Sequence, residues 1–238
     1  MSTPTLTLPP RPLAIFLGGD GVHYEERAPG AALMPWVQAF WHLRCERPYP
    51  LRVLPDGCMD IIGNDVVGSL STALVANLDA GDEVFGVRLR PGAFTALYGV
   101  PASELSDLRL PLADVVRPRP LLELARDAPP PDPVAAAALH AADVRTLARE
   151  TGYSPRHLRR RLVAATGHGP KRLARIGRMQ AVLAAGRGES WARTAYEFGF
   201  HDESHMINDI RALANATPQR LLGARAAGQL TSARETRS

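Results

Sequence analysis

Residues 143–170 read DVRTLARETGYSPRHLRRRLVAATGHGP, and residues 190–218 read SWARTAYEFGFHDESHMINDIRALANATP. Both follow one grammar: a short helix with an apolar stripe, a tight turn, an N-cap and a second helix. In the first stretch Asp143 is a good N-cap residue, Val144, Leu147 and Ala148 form the inward stripe, and Thr151-Gly152-Tyr153 supplies the turn. Ser154 can then accept from a free first-turn amide, and Pro155 stands at the first helical position, where its missing N–H costs nothing. Leu158, Leu162 and Ala165 recur at helical spacing and face inward, which leaves Arg156, Arg159 and Arg160 on or beside the outward face. The second stretch repeats this with a helix over Ser190–Glu197, a turn at Phe198-Gly199-Phe200 and an N-cap at Asp202 before Met206, Ile210 and Leu213; Thr217-Pro218 then closes the helix. Two helix-turn-helix units in tandem are predicted.

Between them, Lys171 to Ala185 carries Leu173, Ile176, Val182 and Leu183 on a helical period, so a single connecting helix holds the units at fixed separation. Recognition helices that enter successive major grooves on one face of DNA must lie one helical turn, about 34 Å, apart. The run Leu147-Ala148, Gly152, Ser154, Leu158, Arg160 and Leu162, followed by Gly167 and Gly169-Pro170, then Ala195, Phe198-Gly199-Phe200, Asp202, Ser204-His205 and Thr217-Pro218, closely resembles the DNA-binding domain of the AraC/XylS family of bacterial transcription regulators. The resemblance implies a monomeric module with two recognition helices and double-stranded promoter or operator DNA as partner. By position it places base reading on Arg156, Arg159 and Arg160 in the first helix, and on Glu203, Ser204, Ile207 and Asn208 in the second. His157, Lys171, Arg172 and Arg211 complete the expected DNA-binding set. The second helix departs from the family pattern, since many relatives have a basic residue where Asn208 stands and this helix also carries Asp202, Glu203 and Asp209, so its grip on phosphate is expected to be weak. Arg161 is expected to pair with Glu150 or a phosphate, and Trp191, Tyr196, Phe198 and Phe200 are expected in the core.

Charge separates the halves of the 238-residue chain. Residues 1–133 carry 11 Lys and Arg against 16 Asp and Glu, net −5, whereas residues 134–238 carry 17 against 8, net +9. A polyanion partner is therefore expected for the second half alone. An acidic first domain close to a basic second one is also expected to compete with DNA phosphates for the basic surface.

The first half is β-rich. After a Pro- and Gly-rich irregular arm over residues 1–30, a helix is possible over Leu33–Phe40, and strands are expected near Trp41–Arg44, Leu51–Leu54, Met59–Ile62, Val66–Leu70, Leu74–Leu78 and Glu83–Arg90. Short helical pieces follow at Phe94–Tyr98, Glu104, Leu112–Val116 and Pro120–Arg126. The fold class is α+β: a barrel- or sandwich-like sensor domain over residues 1–127, a proline-rich linker over 128–133, an all-α DNA-binding domain over 134–224 with a helix at Val134–His140, and a disordered tail over 225–238.

Leu54-Pro55-Asp56-Gly57-Cys58-Met59-Asp60-Ile61-Ile62 and Val87-Arg88-Leu89-Arg90-Pro91-Gly92-Ala93 resemble the sensor-type domain, of mostly unassigned ligand, often found ahead of this DNA-binding module. This implies a regulatory domain without naming an effector. Trp41, Asp56, Cys58, Asp60, Arg88 and Arg90 are the candidate effector-binding residues. Asp56 reads equally as the cap of a tight turn between strands, Cys58 as a small buried hydrophobe, and Arg88 and Arg90 as the lining of a pocket for an acidic ligand or as a solvent-facing pair.

No run of apolar residues is long enough to span a membrane, and Met1-Ser2-Thr3-Pro4 opens no signal peptide, so a cytoplasmic protein with reduced Cys45 and Cys58 is expected. His23 and His42 with the two cysteines lack a metal-site spacing, and no Gly-x-Ser-x-Gly, P-loop or dinucleotide fingerprint is present. The sequence thus predicts a transcription regulator without cofactor, metal or catalysis, modulated by a small molecule or by self-association as a homodimer, with RNA polymerase as a further partner. The competing reading is a small-molecule- or metal-binding β-barrel enzyme fused to a DNA-binding module.

Overall fold

The computed structural model describes residues 21–141, 143–186 and 190–224. Most of the arm expected over residues 1–30 and the whole tail expected over 225–238 lie outside them.

In the first domain an antiparallel six-stranded sheet has the order β1 (Val22–Arg27), β2 (Val37–Cys45), β7 (Glu83–Leu89), β4 (Met59–Ile62), β5 (Asp65–Val67) and β8 (Arg109–Pro111). A second sheet pairs β3 (Tyr49–Val53) with β6 (Leu74–Leu78). Strand side chains alternate between faces, so each strand of the large sheet serves two cores. Tyr24, Trp41, Leu43 and Cys45 meet Leu51 of the smaller sheet on one side. Met59, Ile61 and Leu89 pack on the other against α1 (Ala93–Tyr98), α2 (Leu112–Val115) and α3 (Leu121–Asp127). The sandwich-like arrangement matches the α+β expectation.

Two local expectations fail here for one reason. The helix expected over Leu33–Phe40 amounts to a turn closed by Val37 N–H on Leu33 O (2.8 Å), after which the chain enters β2. Residues 22–27, expected as irregular, form β1, where buried Val22 and Tyr24 alternate with exposed His23 and Glu25. At Leu33–Phe40 a local helical period is overruled, and at residues 22–27 a strand forms where little period is visible; in both places the ladder of β1, β2 and β7, a non-local term, decides.

The second domain comprises α4 (Pro133–His140), α5 (Val144–Thr151), α6 (Pro155–Thr166), α7 (Pro170–Ala185), α8 (Trp191–Glu197), α9 (Glu203–Ala214) and α10 (Pro218–Ala224). The expected caps form: Asp143 accepts from Thr146 N–H, Ser154 from His157 N–H and Asp202 from His205 N–H. Asn215 ends α9 in the left-handed region, and Thr217-Pro218, expected to close that helix, instead opens α10, with Thr217 Oγ1 accepting from Arg220 N–H (3.3 Å). Leu173, Ile176, Met179, Val182 and Leu183 of α7 are fully buried among Leu158, Leu162, Met206 and Ile210. Leu54 and Ala73 of the first domain belong to the same core, so the domains are packed together. The proline segment is pinned at both ends. Trp36 Nε1–H donates to Pro129 O (3.0 Å), and Asp132 both caps α4 and pairs with Arg161 of α6. Arg161 was expected on Glu150 or phosphate; the linker carboxylate and the Tyr153 hydroxyl (2.7 Å) take it instead.

Among the described residues no helix is long and apolar enough to cross a membrane.

Helix α4 reaches α7 because position 177 has no side chain: a Cβ on Gly177 would lie 1.5 Å from Leu139 O. Gly177→Ala must separate the helices and should cost about 1–3 kcal/mol. At Gly223, in α10, a Cβ would have nothing within 4 Å, so Gly223→Ala should be neutral or gain about 0.5–1 kcal/mol. Urea denaturation followed by circular dichroism checks both signs.

Candidate nucleic-acid interface and ligand cavity

Each helix-turn-helix unit turns on a left-handed glycine, Gly152 (φ 71°) in the first and Gly199 (φ 71°) in the second, where any other residue would carry Cβ strain. The turns present the N-terminal halves of α6 and α9 outward. Arg156, Arg159 and Arg160 are exposed and make no ion pair among the described residues, so their guanidinium forks are available to bases and phosphates. His157 is half-buried and stacks on Tyr153 (centroids 4.7 Å apart), an arrangement that steadies the turn. Lys171 at the start of α7 is exposed.

On α9, Glu203, Ser204 and Asn208 are exposed, whereas Ile207 is half-buried against the domain core. The acids of this helix are largely committed to structure. Asp209 pairs with Arg175 (2.9 Å) and Arg178 (3.4 Å) of α7, and Asp202 is the N-cap, where the His205 N–H holds its carboxyl below the usual range. Repulsion of phosphate by α9 therefore comes from Glu203 and Asp202, both exposed, and less from the paired Asp209. Arg211 is exposed farther along the helix. Arg172, expected on DNA, instead donates to Ser71 O of the first domain (2.8 Å). Phe200 is buried and Trp191 and Phe198 pack beside the core as expected, but Tyr196 is 85% exposed because α8 turns that position to solvent.

The acidic domain does not cover the arginines of α6. It meets the opposite end of that helix, where Ser69 Oγ donates to Thr166 O (2.5 Å) and Thr95 Oγ1 to Ala164 O (3.2 Å). Among the described residues, charge competition for the basic surface thus has no contact through which to act on Arg156, Arg159 or Arg160.

In the first domain a cavity of about 630 Å³ lies between the two sheets. Five of the six expected effector residues, Trp41, Asp56, Cys58, Asp60 and Arg88, line it. The strand register brings them together: Asp60 faces Arg88 across β4 and β7, while Trp41 and Ile62 both face Gly86. A Cβ on Gly86 would lie 2.2 Å from the Trp41 ring, so glycine makes room for the indole, whose Nε1–H donates to Asp60 Oδ1 (2.8 Å). Arg88 is 2% exposed and within ion-pair distance of Glu26 (3.1 Å), Asp56 (3.4 Å) and Asp60 (3.5 Å). Asp56 also accepts from Cys58 N–H (2.8 Å), so the turn-capping role and the cavity role coexist in one carboxylate. Burial pushes the Cys58 thiol up and, despite Arg88, the Asp60 carboxyl up. The thiol is a protonated donor to Gln38 Oε1 (3.2 Å). Arg90 stands apart: β7 ends at Leu89, the alternation stops, and Arg90 Nε donates to Met34 O (2.8 Å) away from the cavity.

Glu26 and Tyr24, which donates its hydroxyl to Glu26 Oε1 (2.6 Å), complete the polar cluster and were not foreseen. The alternation of Val22, Tyr24 and Glu26 was their only signal. Also unforeseen is the segment Gly68–Leu74, which lines the cavity and carries no motif. Cys45 and Cys58 are free and buried, and among the described residues no three His, Cys, Asp or Glu side chains are grouped to hold a metal.

Residues 147–224 match a family described as a helix-turn-helix domain, and residues 25–111 match a domain of unknown function, DUF6597. No curated protein matches the chain. Two solved structures of ToxT from Vibrio cholerae are similar in part. An apo single-residue variant from strain SCE256 is 9% identical, with 87% of this chain and 98% of that chain covered and a TM-score of 0.38. A second crystal form is 12% identical, with 89% and 98% covered and a TM-score of 0.39.

The two arginine environments should be separable by salt. Arg160→Ala should weaken binding to the preferred DNA by about 1–3 kcal/mol and relax preference at one position. Loss of a phosphate-bound cation lowers the slope of log affinity against log salt by about 0.9. Arg172→Ala should leave that slope unchanged, because its guanidinium is held by Ser71 O. Fluorescence anisotropy over a salt series distinguishes the two.

Proposed function

We propose that this chain is a DNA-binding transcription regulator with an AraC-type helix-turn-helix domain, and that the cavity of its first domain governs how the helix-turn-helix domain meets DNA. One observation carries the reading: the segment between β5 and β6 is shared. Leu70, Ser71, Thr72 and Ala73 line the cavity. The same residues hold the helices: Leu70 O accepts from His168 Nε2 (3.0 Å), Ser71 O from Arg172, Ala73 N–H donates to Leu213 O (2.7 Å), and Ala73 O accepts from Asn215 Nδ2 (3.3 Å). A second junction lies at the turn of Asp56, where Pro55 O accepts from Gln180 Nε2 of α7 (2.7 Å).

A ligand that displaces this wall changes contacts at the ends of α6 and α9 and at the start of α7. The helices that carry Arg156, Arg159, Arg160, Ser204 and Asn208 are then reoriented as a pair. The reading assigns the chain no catalysis and includes RNA polymerase, or a second copy of the chain, as eventual partner and the cytoplasm as compartment.

Selection from random DNA by the full-length protein tests it. The expected result is a bipartite motif with half-sites about one helical turn apart. Information should concentrate in the half-site under α6, as guanines opposite arginine forks, because α9 offers Asn208 and Ser204 beside Glu203. Equal information in both halves contradicts the assignment of roles, and no enriched motif contradicts the DNA-binding reading itself.

A further inference from the structure

The cavity's charges identify its ligand. This inference rests on the reading of the first domain as a sensor. Around Arg88 stand, among the described residues, Glu26, Asp56 and Asp60, three carboxylates against one guanidinium in a largely buried site. One positive charge cannot neutralise three negative ones, and an unmatched buried carboxylate is costly unless it takes a proton or a cation arrives. Glu26 is occupied by the Tyr24 hydroxyl and Arg88, and Asp56 by Cys58 N–H and Arg88. Asp60, one of the residues lining the cavity, uses Oδ1 for Trp41 and Arg88, while its Oδ2 receives no hydrogen bond among the described residues. Much of the remaining wall is apolar, with Leu43, Leu51, Ile62, Leu78 and Val84 on the two sheets, while Ser71, Thr72, Asp107 and Arg109 add polar groups to it.

We propose that the cavity binds a compact hydrophobic amine, its aliphatic or aromatic body between the sheets and its ammonium group on Asp60 Oδ2 beside Asp56. The ammonium N–H groups match acceptors that the protein leaves unfilled, and the positive charge corrects the local excess of carboxylate. An acidic ligand, one of the options open from Arg88 in the sequence, would instead meet the carboxylates of Asp56 and Asp60, with the Arg88 guanidinium already engaged by them and by Glu26. The body of the ligand meets Leu70 and Ala73, the wall that also holds α7 and α9.

The test uses the full-length protein and three isosteric probes: 2-phenylethylammonium, 2-phenylethanol and phenylacetate, with hexylammonium as an aliphatic check. Titration calorimetry and thermal unfolding should show saturable binding and a rise in Tm for the two ammonium ions, a weak response for the alcohol and none for the carboxylate. Asp60→Asn, checked for folding by circular dichroism, should weaken ammonium binding by about thirtyfold or more, as expected for loss of a buried charge partner. If that variant does not fold, the ranking of the three isosteres on the unaltered protein decides alone. Phenylacetate binding as tightly as the amine, no response to either ammonium ion at millimolar concentration, or undiminished amine binding by a folded Asp60→Asn protein overturns the proposal. A protein that selects a DNA motif but ignores the ammonium ions loses only this inference. One that binds them but selects no motif loses the preceding reading.

Discussion

The rest of the molecule hangs on the burial of α7. A helix with Leu173, Ile176, Met179, Val182 and Leu183 all removed from water must be enclosed on several sides, and a two-domain chain with modest cores has few elements to spare. The solution recruits α4, α6, α9 and α10, and then Leu54 and Ala73 from the sheet domain. Because one rigid helix touches both helix-turn-helix units, their separation is set by packing and not by a loop. Its polar positions make the same point: Arg175 and Arg178 hold Asp209 of α9, and Gln180 holds Pro55 O.

The first domain answers to a second constraint, the burial of Arg88. A guanidinium taken from water needs carboxylates with good geometry, and antiparallel register provides one directly opposite it on β4 and others from β1 and the turn before β4. That cluster needs space on the same face for an indole, which explains Gly86 in mid-strand, a position where glycine otherwise weakens a sheet. With large side chains confined to one end, the sheets do not close on each other elsewhere, and a cavity remains.

Legibility in the sequence followed the range of the interactions. Caps and turns are local, so Asp143, Ser154, Gly152 and Asp202 could be read with their roles. The strands at Met59–Ile62 and Leu74–Leu78 were bounded by turn residues on both sides and were read to the residue. The effector residues Asp56, Cys58, Asp60 and Arg88 were readable as motifs, but what surrounds them was not. Glu26 lies in a strand whose identity depends on pairing with β2, and Arg90 was included because the end of β7 is set by the turn at Trp36, whose carbonyl accepts from Arg90 N–H. Tyr196 was placed in the core because aromatic residues usually bury; the exposed face of α8 is fixed by tertiary packing that no local pattern encodes. Arg172 read as a DNA contact, and Arg161 as a partner of Glu150 or a phosphate, for the same reason, since their acceptors, Ser71 O and Asp132, lie far along the chain or in the linker.

The shared segment gives regulation a physical scale. Four hydrogen bonds tie Leu70, Ser71 and Ala73 to His168, Arg172, Leu213 and Asn215, and each contributes on the order of 1 kcal/mol. A ligand redistributes conformations only through its differential affinity for them, and a few kcal/mol moves a two-state equilibrium from mostly one state to mostly the other. The contacts at stake are of that size, which is large enough to hold the helices in one arrangement and small enough for a single ligand to replace. Strands flank the segment on both sides, β5 in the large sheet and β6 in the small one, so a change in the gap between sheets is delivered to its ends. The domain interface thus places replaceable bonds at a stretch that both the cavity and the helical domain touch.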